Sequence, residues 1–410
     1  MKKIKVGLIG YGNRGRLYFS FIKEMLDKVE LVAVCDYRAN EISQDIKQTN
    51  AKYVFADTDK FFEANLDLDL VLICSMDKYH YLNTKQALEH NYNVLLEKPI
   101  SANLEEVEQL SDIATSRNLK VIVTYVLRYA PFYEMIKKII DDGEIGNIIN
   151  INTTENVAYW HQAHSYVRGN WRNSKETGPM ILTKCSHDMD LIYWLSGKKV
   201  KRISSFGKLS HFVKENAPKG SSEYCTDCKL KDSCPFNCYR FYLSNKEWLR
   251  PMVGDELTEK NIIKYLDHGQ YSRCVYKCDN DVVDHQIVNI EFEDGTTASH
   301  TMNAFTRWCY RDIKVMGEKG CIEGNFEKEI FTVYHFVDNS SRKIDIHDYS
   351  DDFTGHGGGD KVMFKEFIEY LLTNKKSVCL TTIQESVISH KMAFAAEKSR
   401  LNAGKVVDIE

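Results

Sequence analysis

Lys98, in Glu97-Lys98-Pro99, and His187, in Ser186-His187-Asp188, are the two side chains best suited to moving a proton at a carbon–oxygen bond. A lysine ammonium can hydrogen-bond a hydroxyl oxygen and steady the negative charge that grows there as hydride leaves. An imidazole titrates near neutral pH and can take the hydroxyl proton as general base. Neither residue says much alone, since Lys-Pro at a strand end is an ordinary loop and a helical histidine is commonly structural. Their meaning comes from what precedes them. Lys5 to Ile9 reads as a buried strand, Gly10-Tyr11-Gly12-Asn13-Arg14-Gly15 as a turn, and Arg16 to Leu26 as a helix with apolar spacing at Leu17, Phe21, Ile22 and Leu26. In that order, one glycine allows the tight turn, one lets backbone approach a pyrophosphate, and one lets helix and strand pack closely. The helix N-terminus adds free N–H groups and partial positive charge. Gly10, Gly12, Asn13, Arg14 and Gly15 are therefore candidate contacts for a dinucleotide.

A second strand, Glu30 to Cys35, ends in Asp36. An acidic residue about 20 positions past such a turn accepts hydrogen bonds from the adenosine ribose. A carboxylate there repels a 2′-phosphate and favours NAD over NADP. Arg38, two residues on, can accommodate that phosphate and keeps NADP open. Ligands of open α/β sheets bind beyond the carboxyl ends of the strands, which puts Lys98, after the strand Asn93 to Leu96, where a substrate meets the nicotinamide.

The elements that must position these groups follow from periodicity. Strands and helices alternate through residues 1–125 and predict a doubly wound parallel sheet. Asp69 to Cys74 is a continuous apolar strand of the kind buried on both faces. Tyr79 to Glu89 and Leu104 to Arg117 read as helices, Leu119 to Val123 as a strand. Beyond Arg128 the pattern changes. A long alternating strand, Ile148 to Val157, precedes a long helix, Pro179 to Leu195. Runs at Gln286–Phe292, Thr296–Met302 and Asp312–Met316 predict a mostly antiparallel sheet. The fold class is α/β: a dinucleotide-binding domain over 1–125, then an α+β domain for substrate binding and oligomerisation over 126–410. A length of 410 residues suits two domains. With 54 basic and 58 acidic residues the net charge is −4, without a basic stripe, so neither nucleic acid nor an anionic membrane is expected as main partner. The start of the chain lacks a signal-peptide pattern and no apolar run approaches the ~18–20 residues that cross a bilayer, so a cytoplasmic location is the expectation.

Three further segments carry chemistry. Trp160 to Asn173 holds His161, His164, Arg168, Trp171 and Arg172, where indole faces suit sugar rings and the other groups donate to hydroxyl or carboxylate oxygens. Gly355-His356-Gly357-Gly358-Gly359-Asp360 is either a plain connection or a flexible loop that places His356 over the substrate. Twelve cysteines are present, several in apolar strands as small hydrophobes. Cys225, Cys228, Cys234 and Cys238 are spaced for a structural zinc site in a lysine-rich insertion near 222–280. Cys274 or Cys278 is an alternative fourth ligand and an iron–sulfur cluster the less favoured occupant.

Taken together, the glycine turn, Glu97-Lys98-Pro99, His80 after the fourth strand and the Gly178-Pro179-Met180…His187-Asp188 stretch resemble the Gfo/Idh/MocA family of oxidoreductases. The family is named for glucose–fructose oxidoreductase, inositol dehydrogenase and a rhizopine-catabolism protein. The resemblance implies that Lys98 and His187 sit at the nicotinamide, with Ser75, His80 and Glu97 joining the cofactor site. One departure stands out. Polyol-oxidising members carry an acidic residue four positions before the histidine, where this chain has Thr183, followed by Lys184. The expected activity is an NAD-dependent oxidoreductase acting on a sugar, sugar acid or cyclitol, with Thr183 and Lys184 among the substrate contacts. Two other readings use the same site. One is an NAD-recycling enzyme that cleaves glycosides by oxidation, elimination and reduction. The other is a non-catalytic NAD-binding sensor. The resemblance further implies a homodimer or homotetramer joined through the open sheet.

Overall fold

Short runs of Val, Ile and Leu with no polar alternation form strands that must be covered on both faces, and six of them build the first sheet. The computed structural model describes residues 3–254 and 256–409. Its first six strands are β1 (Ile4–Ile9), β2 (Val29–Cys35), β3 (Tyr53–Phe55), β4 (Leu70–Ile73), β5 (Asn93–Leu96) and β6 (Val121–Val123). They are all parallel, in the order β3-β2-β1-β4-β5-β6. That order reverses direction between β1 and β4, which opens a crevice at their carboxyl ends. Every residue of β4 is buried.

Alternating strands build the second sheet. β7 (Ile148–Asn156), β8 (Val200–Lys208), β9 (His285–Phe292), β10 (Thr297–Asn303), β11 (Tyr310–Gly317), β12 (Gly320–Asn325), β13 (Ile330–His335), β14 (Ser341–Asp345) and β15 (Val407–Asp408) lie in the order β14-β13-β12-β11-β7-β10-β9-β8-β15. All neighbours are antiparallel except β7 and β10. One face, with Ile151, Val288, Ile290 and Phe292, is buried against the helices Ser186–Ser196 and Ile383–Leu401. The other face leaves Ile149, Phe206, Ile287 and Tyr334 exposed. Between β8 and β9 the chain leaves the sheet for residues 209–284.

The two sheets share a core. The Val123 N–H donates to the Thr381 carbonyl at 2.9 Å, so the C-terminal segment lies along the edge strand β6. Ile383 then enters the core of the parallel sheet, while Met392, Ala393 and Ala396 of the same helix pack in the core beneath the second. No helix among the described residues is long and apolar enough to cross a membrane.

The continuous helix expected from Pro179 to Leu195 is instead two, Met180–Thr183 and Ser186–Ser196, broken at Lys184 and Cys185. The break leaves the Thr183 carbonyl free for a side-chain donor. The second helix is then fixed by a buried fork. Arg128 Nε and Nη2 donate to Asp190 Oδ2 and Oδ1 at 2.7 and 2.6 Å, and the Ser389 hydroxyl donates to the same carboxylate at 2.9 Å. Removing one partner of such a pair strands a charge in apolar surroundings. Asp190→Ala should therefore cost about 3–5 kcal/mol, read as a drop of several degrees in the thermal unfolding midpoint. Lys138→Ala, which removes an exposed i,i+4 partner of Asp142, should leave the midpoint in place.

Candidate functional site

The glycine turn is built by close approach. Gly10 has φ +92°, and a Cβ there would meet the Cys74 carbonyl oxygen at 2.5 Å. A Cβ on Gly15 would meet the Gly10 carbonyl oxygen at 2.1 Å, which is how the helix Asn13–Glu24 packs tightly on β1. Gly12, by contrast, faces open space, with no atom within 4 Å of the position a Cβ would take. The helix begins without any side-chain cap, so its first N–H groups remain available to an anion. At the end of β2, Asp36 is buried; its Oδ2 accepts from the Tyr11 N–H and its Oδ1 from the Arg38 N–H, each at 2.8 Å. These residues fit a dinucleotide: the open space beside Gly12 at the helix start suits a pyrophosphate, and the Asp36 carboxylate stands at the end of the neighbouring strand on the same sheet edge.

Arg14, Glu97, His80 and Arg38, all expected at the cofactor, are held by protein partners. Arg14 Nε donates to Glu97 Oε1 and its Nη2 to Asp360 Oδ1, both at 2.6 Å, so the guanidinium ties the turn to the rest of the molecule. Glu97 is likewise a buried anchor: it also accepts from the Tyr18 and Thr124 hydroxyls at 2.8 Å each. His80 lies with Nδ1 2.7 Å from the Pro99 carbonyl and Nε2 3.0 Å from the Ser75 carbonyl, bracing the end of β4 against the Lys98-Pro99 turn. The Ser75 hydroxyl accepts from Asn83 at 3.1 Å. Arg38 donates from Nη1 to the Pro251 carbonyl at 2.8 Å, which brings the 209–284 insertion to the ribose end of the crevice.

Lys98 and His187 come together at the other end. Lys98 Nζ donates to the Thr183 carbonyl at 2.6 Å, the oxygen exposed by the helix break. Burial pulls its ammonium down to about 8; Asp77 opposes that fall and Lys184 adds to it. Burial also holds the His187 ring well below the usual imidazole range, with Lys98, His356, Arg311 and Lys184 pushing the same way. The imidazole is therefore neutral at pH 7, and its buried Nδ1 has no protein partner. The His356 ring stands 5.7 Å from it, centroid to centroid, and Tyr125 meets it edge-on at 5.8 Å. His356 has φ +47° in a left-handed turn, and its Nδ1 lies 2.8 Å from Asp360 Oδ2.

The Thr183 hydroxyl donates back to the Pro179 carbonyl at 3.3 Å, so the residue contributes through its backbone. Lys184 Nζ lies 3.3 Å from Glu155, which also pairs with Arg311, and Arg311 Nε donates to Asp188 Oδ1 at 3.1 Å. Of the Trp160–Asn173 stretch, a π-helical turn at Gln162–Arg168 sends most groups away from the crevice. His164 Nδ1 lies 2.7 Å from the Tyr242 hydroxyl and its ring stacks on Tyr271, with burial lowering it to about 3. Arg168 and Arg172 are likewise committed to the insertion, at the carbonyl of Arg273 and the carboxylate of Asp279. His161 lies nearer Lys184 and Arg311, pushed well below its usual range by burial and then by Lys184. Trp171 Nε1 donates to Asp77 Oδ2 at 2.8 Å.

The cavity lining picks out one of the two expected fourth-ligand alternatives. Cys225, Cys228, Cys234 and Cys274 line one cavity, whereas Cys238 begins a helix, fully buried and hydrogen-bonded to Cys225. Cys278 donates to the Cys274 carbonyl at 3.3 Å. Sequence reasoning missed Asp77, Asp360, Glu155 and Arg311. Asp77 had a findable signal, since it lies in the loop after β4 at the carboxyl edge of the sheet. Asp360 closes the glycine-rich loop but gives no local sign that it meets Arg14.

Comparison with known proteins gives a consistent context. Residues 4–125 match the Gfo/Idh/MocA oxidoreductase family's NAD-binding Rossmann fold, and residues 137–408 match its C-terminal alpha/beta domain. YteT of Bacillus subtilis is 21% identical over 310 residues, 73% of this chain and 71% of that protein. The scyllo-inositol 2-dehydrogenase (NADP(+)) IolW of the same organism is 25% identical over 195 residues, 47% of this chain and 52% of that one. In fold, the chain resembles a crystal structure of scyllo-inositol dehydrogenase from Lactobacillus casei with bound NAD(H) and scyllo-inositol. The TM-score is 0.68 at 19% identity, covering 100% of this chain and 99% of the other. An oxidoreductase domain protein from Kribbella flavida gives a TM-score of 0.75 at 16% identity, covering 100% of both.

The open space at Gly12 has a direct consequence. Its φ of −81° suits any residue, so Gly12→Val should leave the stability of the free protein within about 0.5 kcal/mol. The added side chain fills the pyrophosphate's place and should weaken NAD at least tenfold, about 1.4 kcal/mol, by calorimetry. Unchanged NAD affinity would remove this turn from the cofactor site.

Proposed function

The chain belongs to the Gfo/Idh/MocA family of oxidoreductases, and from that premise we propose an NAD-dependent dehydrogenase that moves hydride between nicotinamide and a hydroxyl-bearing carbon of a sugar, sugar acid or cyclitol. One observation carries this reading: a buried ammonium, Lys98, and a neutral imidazole, His187, meet beside the Thr183 carbonyl at the carboxyl edge of the glycine-turn sheet. NAD, when bound, accepts or returns the hydride. Lys98 exchanges its Thr183 contact for the substrate oxygen and stabilises the charge that develops there. His187 takes the hydroxyl proton through its free ring nitrogen. Asp360 holds His356 in place beside the His187 ring.

The names of relatives agree in substrate type: IolW is a scyllo-inositol dehydrogenase, and another B. subtilis relative, 26% identical over 220 residues, is a glucose-6-phosphate 3-dehydrogenase. Asp36 favours NAD over NADP, and Arg38, held at the Pro251 carbonyl, is already occupied. The exposed apolar residues on the open sheet suit a second copy of the chain. Twelve free cysteines suit a reducing compartment such as the cytoplasm.

The test is a panel of sugars, sugar acids, cyclitols and aryl glycosides with NAD, following NADH and released aglycone together. NADH accumulating with one class supports the reading. Aglycone release without net NADH, or silence in both with NAD bound, overturns it. Lys98→Met and His187→Asn should each lower kcat by about 10²–10⁴-fold with NAD affinity retained. The pH dependence has a definite sign. The Lys98 ammonium is lost as pH rises through about 8, so kcat/KM for alcohol oxidation should fall above that value. His187 stays neutral well below its usual range and so should add no acid limb near 6.5. A profile flat across about pH 7 to 9 would remove the Lys98 ammonium from the role of charge stabiliser.

A further inference from the structure

The insertion at 209–284 encloses a cavity of about 150 Å³, and four thiols, Cys225, Cys228, Cys234 and Cys274, line it. We propose that this cavity holds a [4Fe–4S] cluster ligated by those four cysteines, as a structural staple outside the catalytic chemistry. Two chain segments are paired so as to present them. The Cys225 N–H donates to the Ser272 carbonyl at 2.7 Å and the Cys274 N–H to the Glu223 carbonyl at 2.8 Å, with Tyr224 and Arg273 bridged between. That pairing explains why Cys274, 36 residues beyond Cys238, is the fourth thiol.

Spacing separates a cluster from a single ion. Zinc with bonds of about 2.3 Å draws its four sulfurs to about 3.8 Å from one another. Among the described residues, no three thiols of the insertion offer Sγ atoms all within 4.8 Å; the one group of that kind is Cys185, Asp188 and His300, beneath the catalytic helix. In a cubane each thiolate binds a different iron, so the sulfurs stand apart and the inorganic core fills the space between them. A cavity bounded by four separated thiols is the shape that arrangement leaves.

Charge calls for an anionic centre beside the cavity. Arg168 is 3% exposed, and its guanidinium donates to the Arg273 carbonyl at 2.7 Å and the Phe236 carbonyl at 2.8 Å, with Nη2 3.7 Å from Cys225 Sγ. These partners are carbonyls and a thiol, and a buried guanidinium without an anion is costly. Four thiolates around a metal centre, a zinc ion or a four-iron cluster alike, make a dianion that supplies that charge, so it is the spacing of the thiols that separates the two. Leu230, Phe236, Val275 and Tyr276 form an apolar part of the wall, beside Lys231 and the serines Ser221, Ser222 and Ser233.

The decisive measurement is metal content of the full chain purified without air. The expected result is about four iron and four acid-labile sulfide per chain, with a broad visible absorption that dithionite bleaches. Cys228→Ser and Cys274→Ser should each lose iron and the absorption, while Cys321→Ser, on β12 far from the cavity, should keep both. One zinc per chain without sulfide overturns the proposal. So does a folded, metal-free protein with wild-type thermal stability. The wild-type iron and sulfide content decides the matter even if the variants fail to fold, and its outcome is independent of any dehydrogenase assay.

Discussion

A single buried carboxylate, Glu97, holds the site together. Burial alone would push its pKa up, but the Arg14 guanidinium and hydrogen bonds from Arg14 and Thr124 keep it below the usual range. Arg14 passes the constraint to Asp360, and Asp360 to His356. The glycine turn, the Glu97-Lys98-Pro99 corner, the end of β6 and the C-terminal 355–360 loop are thereby locked to one another. A buried ion pair of this kind gains little net stability over apolar packing, because desolvation offsets much of the attraction. What it gives is direction. With Glu97 pulled under the turn, the adjacent Lys98 projects to the other side, where the opened helix presents Thr183. Two consecutive residues thus divide the work: one anchors and the next reaches the Thr183 carbonyl.

The charges around Lys98 and His187 show how one crevice keeps an acid and a base at the same pH. Three cations, Lys98, Lys184 and Arg311, lie close enough to depress the imidazole, while Glu155 and Asp188 neutralise Arg311 from behind. The result is a neutral imidazole beside an ammonium near pH 7. Such pairs of titratable groups, driven apart by environment, are what acid–base chemistry on a hydroxyl needs. A carboxylate at position 183 would have worked against this by raising the imidazole. The threonine there, held at Pro179, leaves the ring's ionisation to the cations and to His356.

Much of the fold was legible because its signals are local. Continuous apolar runs such as β4 admit one environment, and the order strand, glycine turn, helix, strand, Asp36 has few alternatives. Lys98 and His187 were legible through family resemblance, and their separate motifs gave no hint that they would meet. Other features were hidden for identifiable reasons. The break at Lys184 and Cys185 leaves the apolar spacing of Ile181, Leu182, Cys185, Met189 and Ile192 intact, so periodicity reads through it. His164 and Arg168 have residue types that suit a sugar equally well as they suit an interior. Their partners, Tyr242, Phe236 and Arg273, lie 68 to 105 residues away in sequence. The same long range conceals Asp360 from Arg14, 346 residues apart.

The insertion raises a stability question that its sequence answers only in part. Its apolar residues gather into two small clusters, one around Tyr242, Leu249, Ile262 and Tyr271, the other around Phe212, Phe236, Val275 and Tyr276. Ala163 and Val167, from the π-helical turn, belong to the second. Clusters of this size gain little against the chain entropy of some seventy residues, and segments with so little core commonly depend on a covalent or metal staple. Position makes the staple matter. The insertion touches Arg38 at the end of β2 and packs Trp248 edge-on against His161, whose ring also feels Lys184. Whatever fixes Cys225, Cys228, Cys234 and Cys274 relative to one another therefore also fixes Arg168, the last residue of the π-helical turn, and through it the wall beside the site. Loss of that fixation would be felt as a looser crevice, with Lys98, His187 and the Glu97 anchor still in place.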